Sequence, residues 1–398
     1  MNRALYLLLF TLAGIHGCRK VPLPDSQPEV VKFYPTDSSY KTNGSYQLQD
    51  GNYLLYGYDA ANEGVLPLIL KINPAGSIIW QKKLDKGFHY LTVKPISGGN
   101  LLAVGVEDVV ADAVHVCMMG PDSNILFSIP YFIDDSVSAQ PEYLPDFVEE
   151  ENGDFTICGH IFINKFYAPF VLRINHEGQQ LNYRFYDTLA IKTDLRTVAM
   201  ARNQDGYSLT GTALNSAYPR GMFFIRLNED YEVTYDTIMS NEDETITVGT
   251  IISNETDNSN IICGTYNGQD FSGILYIRTI DASGNVGSMQ SFTDYDNLGR
   301  FRDINHTTDG GYILAATVDQ IEGFNLVSSA KIYLLKLSAG LSFEWSRQFS
   351  SAHPLIGVSA MQTTDGGYLV GGYEHTASYI FTMLMIKTDV EGNIIDEF

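Results

Sequence analysis

Three features of the sequence predict an all-β protein, a seven-bladed β-propeller of four-stranded antiparallel blades. A short apolar phrase ending in Gly or Ala recurs seven times, at separations of 48 to 56 residues. About a dozen residues after each phrase come a second apolar run, a polar turn and a further strand-like stretch. The runs are short, rich in Ile, Leu, Val and aromatics, and lack the periodicity of an amphipathic helix.

The phrase occupies residues 52–57, 100–105, 154–159, 206–211, 259–264, 311–316 and 367–372. The second run, with the strand after it, is read at 68–80, 170–178, 223–228, 334–337 and 384–393. The stretch before each phrase, as at 358–363, supplies the remaining strand. A four-stranded sheet with two apolar faces buries both only between neighbours in a closed ring, so the units form one domain. Asp-Gly pairs beginning at Asp50, Asp205, Asp309 and Asp365 supply the positive φ that tight turns require. One Asp per turn does not bring together the oxygens of a calcium site, so these residues are assigned to turns. The outermost strand carries Lys82, Lys83, Arg184 and Arg347, a charged edge that discourages strand addition. Trp80, Tyr183, Tyr235 and Trp345 recur in the same strand and are expected to pack between blades.

The N-terminus reads as Arg3, an apolar stretch over 4–13, then Gly14, Ile15, His16, Gly17 and Cys18. This is the pattern of a signal peptide over 1–17, too short to span a bilayer. A cysteine directly after the cleavage point resembles the lipobox of bacterial lipoproteins, which implies lipidation at Cys18; His16 is unusual there. The alternative is an ordinary secretory signal with a chance cysteine. Residues 18–43, with Pro22, Pro24, Pro28 and Pro35, read as a tether from the lipid, and 44–398 as the propeller. Within the tether, residues 30–34 have the composition of a strand that would join the last blade and help close the ring.

A net charge of −22 argues against binding to nucleic-acid phosphates, which needs clustered Lys and Arg. Cys117, Cys158 and Cys263 have no metal-ligand spacing and read as buried apolar thiols. Cys158 and Cys263 fall at equivalent places in non-adjacent repeats, which holds them apart. Histidines are scattered, and no nucleophile elbow, zinc motif or phosphate loop occurs, so neither cofactor nor metal is expected.

The pattern Thr-Thr-Asp-Gly-Gly-Tyr at 307–312 and 363–368, followed by Lys-Leu or Lys-Thr, resembles the propeller repeats of secreted proteins and lipoproteins of Bacteroidetes. The resemblance covers about 45–398, with the first five repeats degraded relative to the last two. It implies fold and lineage and transfers no catalytic residue, because many such proteins have no assigned activity. The signature boxes of sialidase-type, Tyr-Trp-Thr-Asp and WD40 propellers are missing, and two tryptophans are too few for a quinoprotein dehydrogenase. Arg19 and Lys20 do not form the acidic cluster that resembles a surface-export signal, so an outer-membrane anchor facing the periplasm is favoured.

Propellers use the face built from the loops that join the second strand to the third and one blade to the next. The candidate ligand-binding residues there are Tyr58, Tyr90, Phe166, Tyr167, Tyr218, Tyr266, Phe324 and Tyr373, interspersed with carboxylates. Aromatic rings that stack on sugar faces, beside carboxylates that accept hydroxyl hydrogen bonds, suit a glycan; the same mixture suits an envelope protein. The expected function is therefore a non-catalytic binding or scaffolding module. The alternative is a carbohydrate-active enzyme, hydrolase or lyase, for which a pair such as Asp59 and Glu374 would be needed. Asp-Ser/Thr-apolar triplets place Ser136, Thr188 and Thr237 in what resembles the O-glycosylation sequon of the same phylum, although turn chemistry explains them as well.

Overall fold

The computed structural model describes residues 31–35, 38–59, 66–84, 89–106, 113–132, 145–163, 166–186, 194–215, 218–239, 245–254, 256–267, 273–292, 300–318, 330–377 and 380–395. They form seven four-stranded antiparallel sheets arranged as the blades of a ring. Among the described residues the only helical turn is the 3-10 turn Ser97–Gly99. Blades 4 and 5 touch through a parallel bridge between Arg220 and Thr245.

Blade 1 shows how the composition builds the sheet. Its strands run Tyr40–Gln47, Tyr53–Asp59, Pro67–Ile72 and Ile78–Lys83, from the channel outward. The third strand is buried at every position and the second at all but one, because neighbouring blades cover both faces. That is why the sequence there is continuously apolar. The outer strand alternates between exposed and half-buried positions, which accounts for its charges. Seven apolar clusters, each spanning two adjacent blades, make up the core.

The ring begins ahead of residue 44. The inner strand of blade 1 starts at Tyr40, and Lys32–Tyr34, expected within the tether, is the outer strand of blade 7. It pairs with Ile380–Thr388 in the register Lys32↔Met385 to Tyr34↔Met383. The lower part of the same outer position is filled from the other end of the chain, where Ile394 bridges Thr388 and the Ile395 amide donates to the Lys387 carbonyl. The seventh blade thus joins both ends of the sequence, and Tyr34 is buried in the cluster between blades 7 and 1.

The phrase-ending glycine has a structural cause. Opposite it the inner strand makes a β-bulge, with register shifts at Thr42/Gly44, Thr197/Ala199, Val248/Thr250 and Gly357/Ser359. The bulge pushes a carbonyl oxygen to within 1.9–2.4 Å of where a Cβ on Gly57, Gly211, Gly264 or Gly372 would lie. No side chain fits there without a backbone shift, and the bulge in turn re-aims the inner strand into the channel.

Outer-strand aromatics pack between blades as expected. A Cβ on Gly284 would strike the Tyr235 ring, and one on Gly392 the Trp345 ring, so the next blade's turn seats on each aromatic. Trp80 Nε1 donates to the Pro121 carbonyl at 3.1 Å across the next interface. The Asp-Gly turns also hold buried cations of the third strand: Lys71 with Asp50, Lys336 with Asp309 and Lys387 with Asp365, at 2.7–2.9 Å. The Lys336 ammonium holds the Asp309 carboxyl down at about 2, against the opposing effect of burial. Blade 2 has Met118 at the lysine position and Gly98 at the aspartate position, so neither charge stands there without the other.

Candidate functional site: the central channel and its mouth

Aligning the blades on their phrase-ending residue places Gly44, Thr92, Asp146, Ala199, Thr250, Asp303 and Ser359 at one height of the inner strands, just after the bulge. These strands line a central cavity of about 370 Å³ to which every blade contributes. An inner strand has no lateral β-partner on its channel side, so its amides there need other acceptors.

Two carboxylates supply them. Asp146 Oδ2 accepts from the Met200 amide of blade 4 at 3.0 Å. Asp303 Oδ2 accepts from the Ala360 amide of blade 7 at 3.2 Å and from Asn305 Nδ2 at 2.8 Å. Thr92 Oγ1 donates to the Pro145 carbonyl, Asn43 Nδ2 to the Leu91 carbonyl, and the Ser45 and Ser359 hydroxyls meet at 2.8 Å. Apart from the Asn305 bond, which lies within blade 6, each of these bonds ties a blade to the next, and together they form a polar seam around the channel.

Lys94 Nζ reaches Asp146 Oδ1 at 2.5 Å and the Phe147 carbonyl at 2.8 Å. Among the described residues no ammonium stands at contact distance from Asp303, and burial inside the ring raises its pKa to about 6. The amides of Ala360 and Ile304, the Lys94 charge and Asn305 all oppose that rise. Tyr46 and Tyr56 stack beside these carboxylates, with ring centroids 6.4 Å apart and planes within 5°. A Cβ on Gly44 would lie 2.5 Å from the Tyr56 hydroxyl, so that glycine admits the second-strand phenol to the channel wall. Burial pushes both phenols well above the ordinary tyrosine range, and the charges of Asp303 and Asp146 act the same way.

At the mouth where the inner strands begin, Lys41 Nζ lies 4.2 Å from the centroid of the Phe381 ring. Phe381 also stacks on His375, with centroids 4.7 Å apart, and meets Tyr373 edge-on at 5.6 Å. Arg302, the bulged residue of blade 6, is exposed and lines the cavity. Burial lowers the Lys41 pKa, and repulsion from Arg302 lowers it further.

Most sequence-predicted site residues stand on strand ends rather than in loops. Tyr58 is half-buried and pairs across the sheet with Lys41, which lies over Phe381 of blade 7, and Tyr373 is half-buried against the same Phe381. Tyr266 is half-buried at the end of Ser259–Asn267 in blade 5. Phe166 is 42% exposed at the start of its strand. Tyr167 is 5% exposed, packed edge-on to His160 with the Arg196 guanidinium over its ring, and so fills a blade junction rather than presenting a free face. Tyr90 lies on the inner strand His89–Pro95, and Tyr218 begins the strand Tyr218–Asn228. Cys18, Phe324, Ser136 and Thr188 lie outside the described residues. Thr237 is half-buried within an outer strand, paired with Phe224.

The carboxylates suggested for catalysis are both withdrawn from the channel: Asp59 is 2% exposed, and Glu374, 9% exposed, accepts from the Ser351 hydroxyl. Sequence reasoning missed Lys94, Asp146, Arg302, Asp303 and Tyr46, all of which line the cavity. A signal existed, since the residues after the bulge lie 12 to 14 positions before the phrase-ending residue in all seven repeats. Cys117, Cys158 and Cys263 are buried and form no disulfide among the described residues, and burial raises the Cys158 and Cys263 thiols well above the ordinary range. Among the described residues no three His, Cys, Asp or Glu side chains converge as metal ligands.

No family model and no curated protein sequence matches the chain. Solved structures do. A polysaccharide lyase of family PL25, an ulvan lyase bound to -[GlcA(1-4)Rha3S]-, superposes with a TM-score of 0.56 at 10% identity, over 91% of this chain and 97% of the lyase. An α-L-arabinanase of Penicillium chrysogenum complexed with arabinobiose gives 0.50 at 11% identity, over 75% of this chain and 93% of the enzyme. A protein of unknown function from Bacteroides caccae gives 0.48 at 13% identity, over 75% and 94%. At these identities what this chain shares with the lyase and the arabinanase is the fold alone.

Proposed function

We propose that this protein is a non-catalytic binding module of the cell envelope, anchored by lipid at Cys18, which takes a glycan at the channel mouth. The observation that carries the reading is the commitment of the channel carboxylates. Asp146 and Asp303 both accept backbone amides of the next blade, and Asp146 is further tied to Lys94. Lone pairs used to hold the ring together are poorly placed to exchange protons with a substrate. The mouth carries the half-buried rings of Tyr58 and Tyr373 beside the cation of Lys41, a mixture suited to a sugar.

The second reading, a propeller glycoside hydrolase or lyase, is favoured by Asp303, whose pKa near 6 would allow it to hold a proton in weakly acidic conditions. One experiment separates the two. The protein from residue 29 onward, which retains the closing strand, is run by affinity electrophoresis against a polysaccharide panel while released reducing ends and unsaturated products are assayed. Retardation without release supports the binding module; release from any polymer overturns it in favour of the enzyme. If no polymer retards the protein, the glycan is discarded and an envelope protein becomes the partner to capture. The anchor has its own test: Cys18→Ser should move the protein from membranes to the soluble fraction, and an unchanged distribution would refute lipidation.

A further inference from the structure

The turn between the first two strands carries an aspartate in five blades: Asp50, Asp205, Asp257, Asp309 and Asp365. At one register position the third strand carries a cation in five blades as well: Lys71, Arg173, Arg226, Lys336 and Lys387. Blade 2 has neither group, with Gly98 and Met118 in their places. Blade 5 alone keeps the aspartate, Asp257, and lacks the cation, because Thr279 stands at its position. The outer strand of blade 5 differs too. Ser288, two residues past the Val286 bridge to Ile280, stands where Trp80 and Trp345 stand two residues past Ile78 and Phe343. Trp80 and Trp345 pair across the sheet with Lys71 and Lys336, so ammonium and ring are neighbours in those blades. Blade 5 lacks both from adjoining places.

A cleft of about 390 Å³ opens there between blades 5 and 6, lined by Asp257, Thr279, Val286, Tyr312 and Leu341 among others. It is of the size that small-molecule sites have. Asp257 is exposed, and its Oδ1 accepts the Ser259 amide at 3.0 Å, the turn bond that Asp309 and Asp365 make to Gly311 and Gly367. In blades 6 and 7 the same carboxylate also receives the lysine ammonium at 2.9 Å, whereas among the described residues no cation meets Asp257. Arg226 of blade 4, which reaches the same turns, is engaged with the Ala282 and Asn258 carbonyls and with Asn260 Oδ1. The blade 6 turn has Leu341 at φ +59°, where the turns seated on Tyr235 and Trp345 have Gly284 and Gly392. Leu341 and Val286, the latter 38% exposed, give the cleft apolar surface without filling it. We infer that this cleft binds a small organic ammonium ion with an aromatic body, its ammonium on Asp257 and its ring against Val286 and Leu341. The ligand supplies from outside the pair of groups that blades 1 and 6 supply from their own strands. Charge-assisted hydrogen bonding to the carboxylate orients it, and apolar contact holds the ring. The cleft lies at the end of the blades opposite the channel mouth, so its occupancy is independent of a glycan there.

The test is equilibrium dialysis against tryptamine, which joins a primary ammonium to an indole, with 3-indolepropionate, the same ring on an anionic end, as control. Two variants accompany the wild type. Asp257→Asn keeps the oxygen that accepts the Ser259 amide and removes the charge, and the residue is exposed, so it should unfold at the wild-type urea concentration, which is checked first. Thr279→Lys gives blade 5 the ammonium that blades 1, 6 and 7 already have, so it should unfold at higher urea and exclude the ligand from Asp257. The expected result is that the wild type binds tryptamine and not 3-indolepropionate, that binding weakens as salt rises, and that each variant loses about tenfold or more in affinity. No binding of tryptamine by the wild type, equal binding of the two compounds, or undiminished binding by folded Asp257→Asn would overturn the site. So would a folded Thr279→Lys protein that binds tryptamine as the wild type does; should that variant fail to fold, Asp257→Asn decides alone.

Discussion

The buried lysine of blade 7 allows the contribution of one charge to be separated from that of its turn. Lys387 is 5% exposed, and its ammonium meets both oxygens of Asp365, at 3.0 and 2.9 Å, and the Thr388 carbonyl at 2.9 Å. Asp365 also accepts from Thr363 Oγ1 and the Gly367 amide, bonds that an asparagine oxygen would preserve. Asp365→Asn therefore removes the negative charge and leaves the turn in place. Stranding a fully buried ammonium costs about 3–5 kcal/mol. Because Asp365 is 56% exposed and water can reach the pair, the cost here should fall to about 2 kcal/mol. Lys387→Met removes the charge that needs a partner and frees Asp365 to water, at less than about 1 kcal/mol. In the double variant the methionine should recover most of what asparagine alone loses, as Met118 opposite Gly98 already does in blade 2. Urea unfolding followed by circular dichroism gives the three values. The pH dependence provides a second reading. Asp365 is held below its ordinary value chiefly by hydrogen bonds from Thr363 and Lys387, which outweigh burial. Its contribution is thus complete above the unfolded carboxylate pKa of about 4 and is lost as pH falls through the lower folded value. The gap between wild type and Asp365→Asn should close over that range. Equal costs for the two single variants, strict additivity in the double, or a gap that does not change with pH would refute the argument.

Asp303 should behave in the opposite sense. Its raised pKa of about 6 means that the folded protein binds its proton more tightly, so stability falls as pH rises from about 4 to 6. Asp303→Asn should be neutral or stabilising at pH 7.5, by at most about 3 kcal/mol, and a large loss there would show that the charge itself holds the ring. Gly211→Ala, whose Cβ would lie 2.0 Å from the Arg196 carbonyl, should cost about 3 kcal/mol or more. Gly51→Ala, at φ +81° in open space, should cost only about 1 kcal/mol, and similar unfolding midpoints for the two would dismiss the bulge argument. Deleting residues 1–35 removes the outer strand of blade 7, including buried Tyr34, whose hydroxyl donates to the Gly76 carbonyl. The truncated protein should unfold at lower urea and self-associate through the uncovered edge of Ile380–Thr388. A monomer with the wild-type midpoint in sedimentation and unfolding would refute closure by both ends.

The candidate site was far less legible than the fold. Apolar runs marked the second and third strands because both of their faces are covered, but the inner strands mix small, polar and charged residues and show no such pattern. The loop aromatics attracted attention as exposed side chains, yet strands extend through most of them, and Tyr167 is consumed by packing against His160 and Arg196. The repeated Asp-Gly and Lys residues were legible as a pattern, while their ion pair was not, because the turn and the third strand lie 21 to 27 residues apart in these three blades.

What the sequence determined by itself was the number of blades, the order of their strands and the turns between them. These follow from period and local composition, since each blade folds mainly on contacts within about fifty residues of chain. Only the tertiary structure decided that Lys94, Asp146, Arg302 and Asp303 share one cavity. Those groups come from different blades, and ring closure sets their distances, which no local pattern of residues encodes.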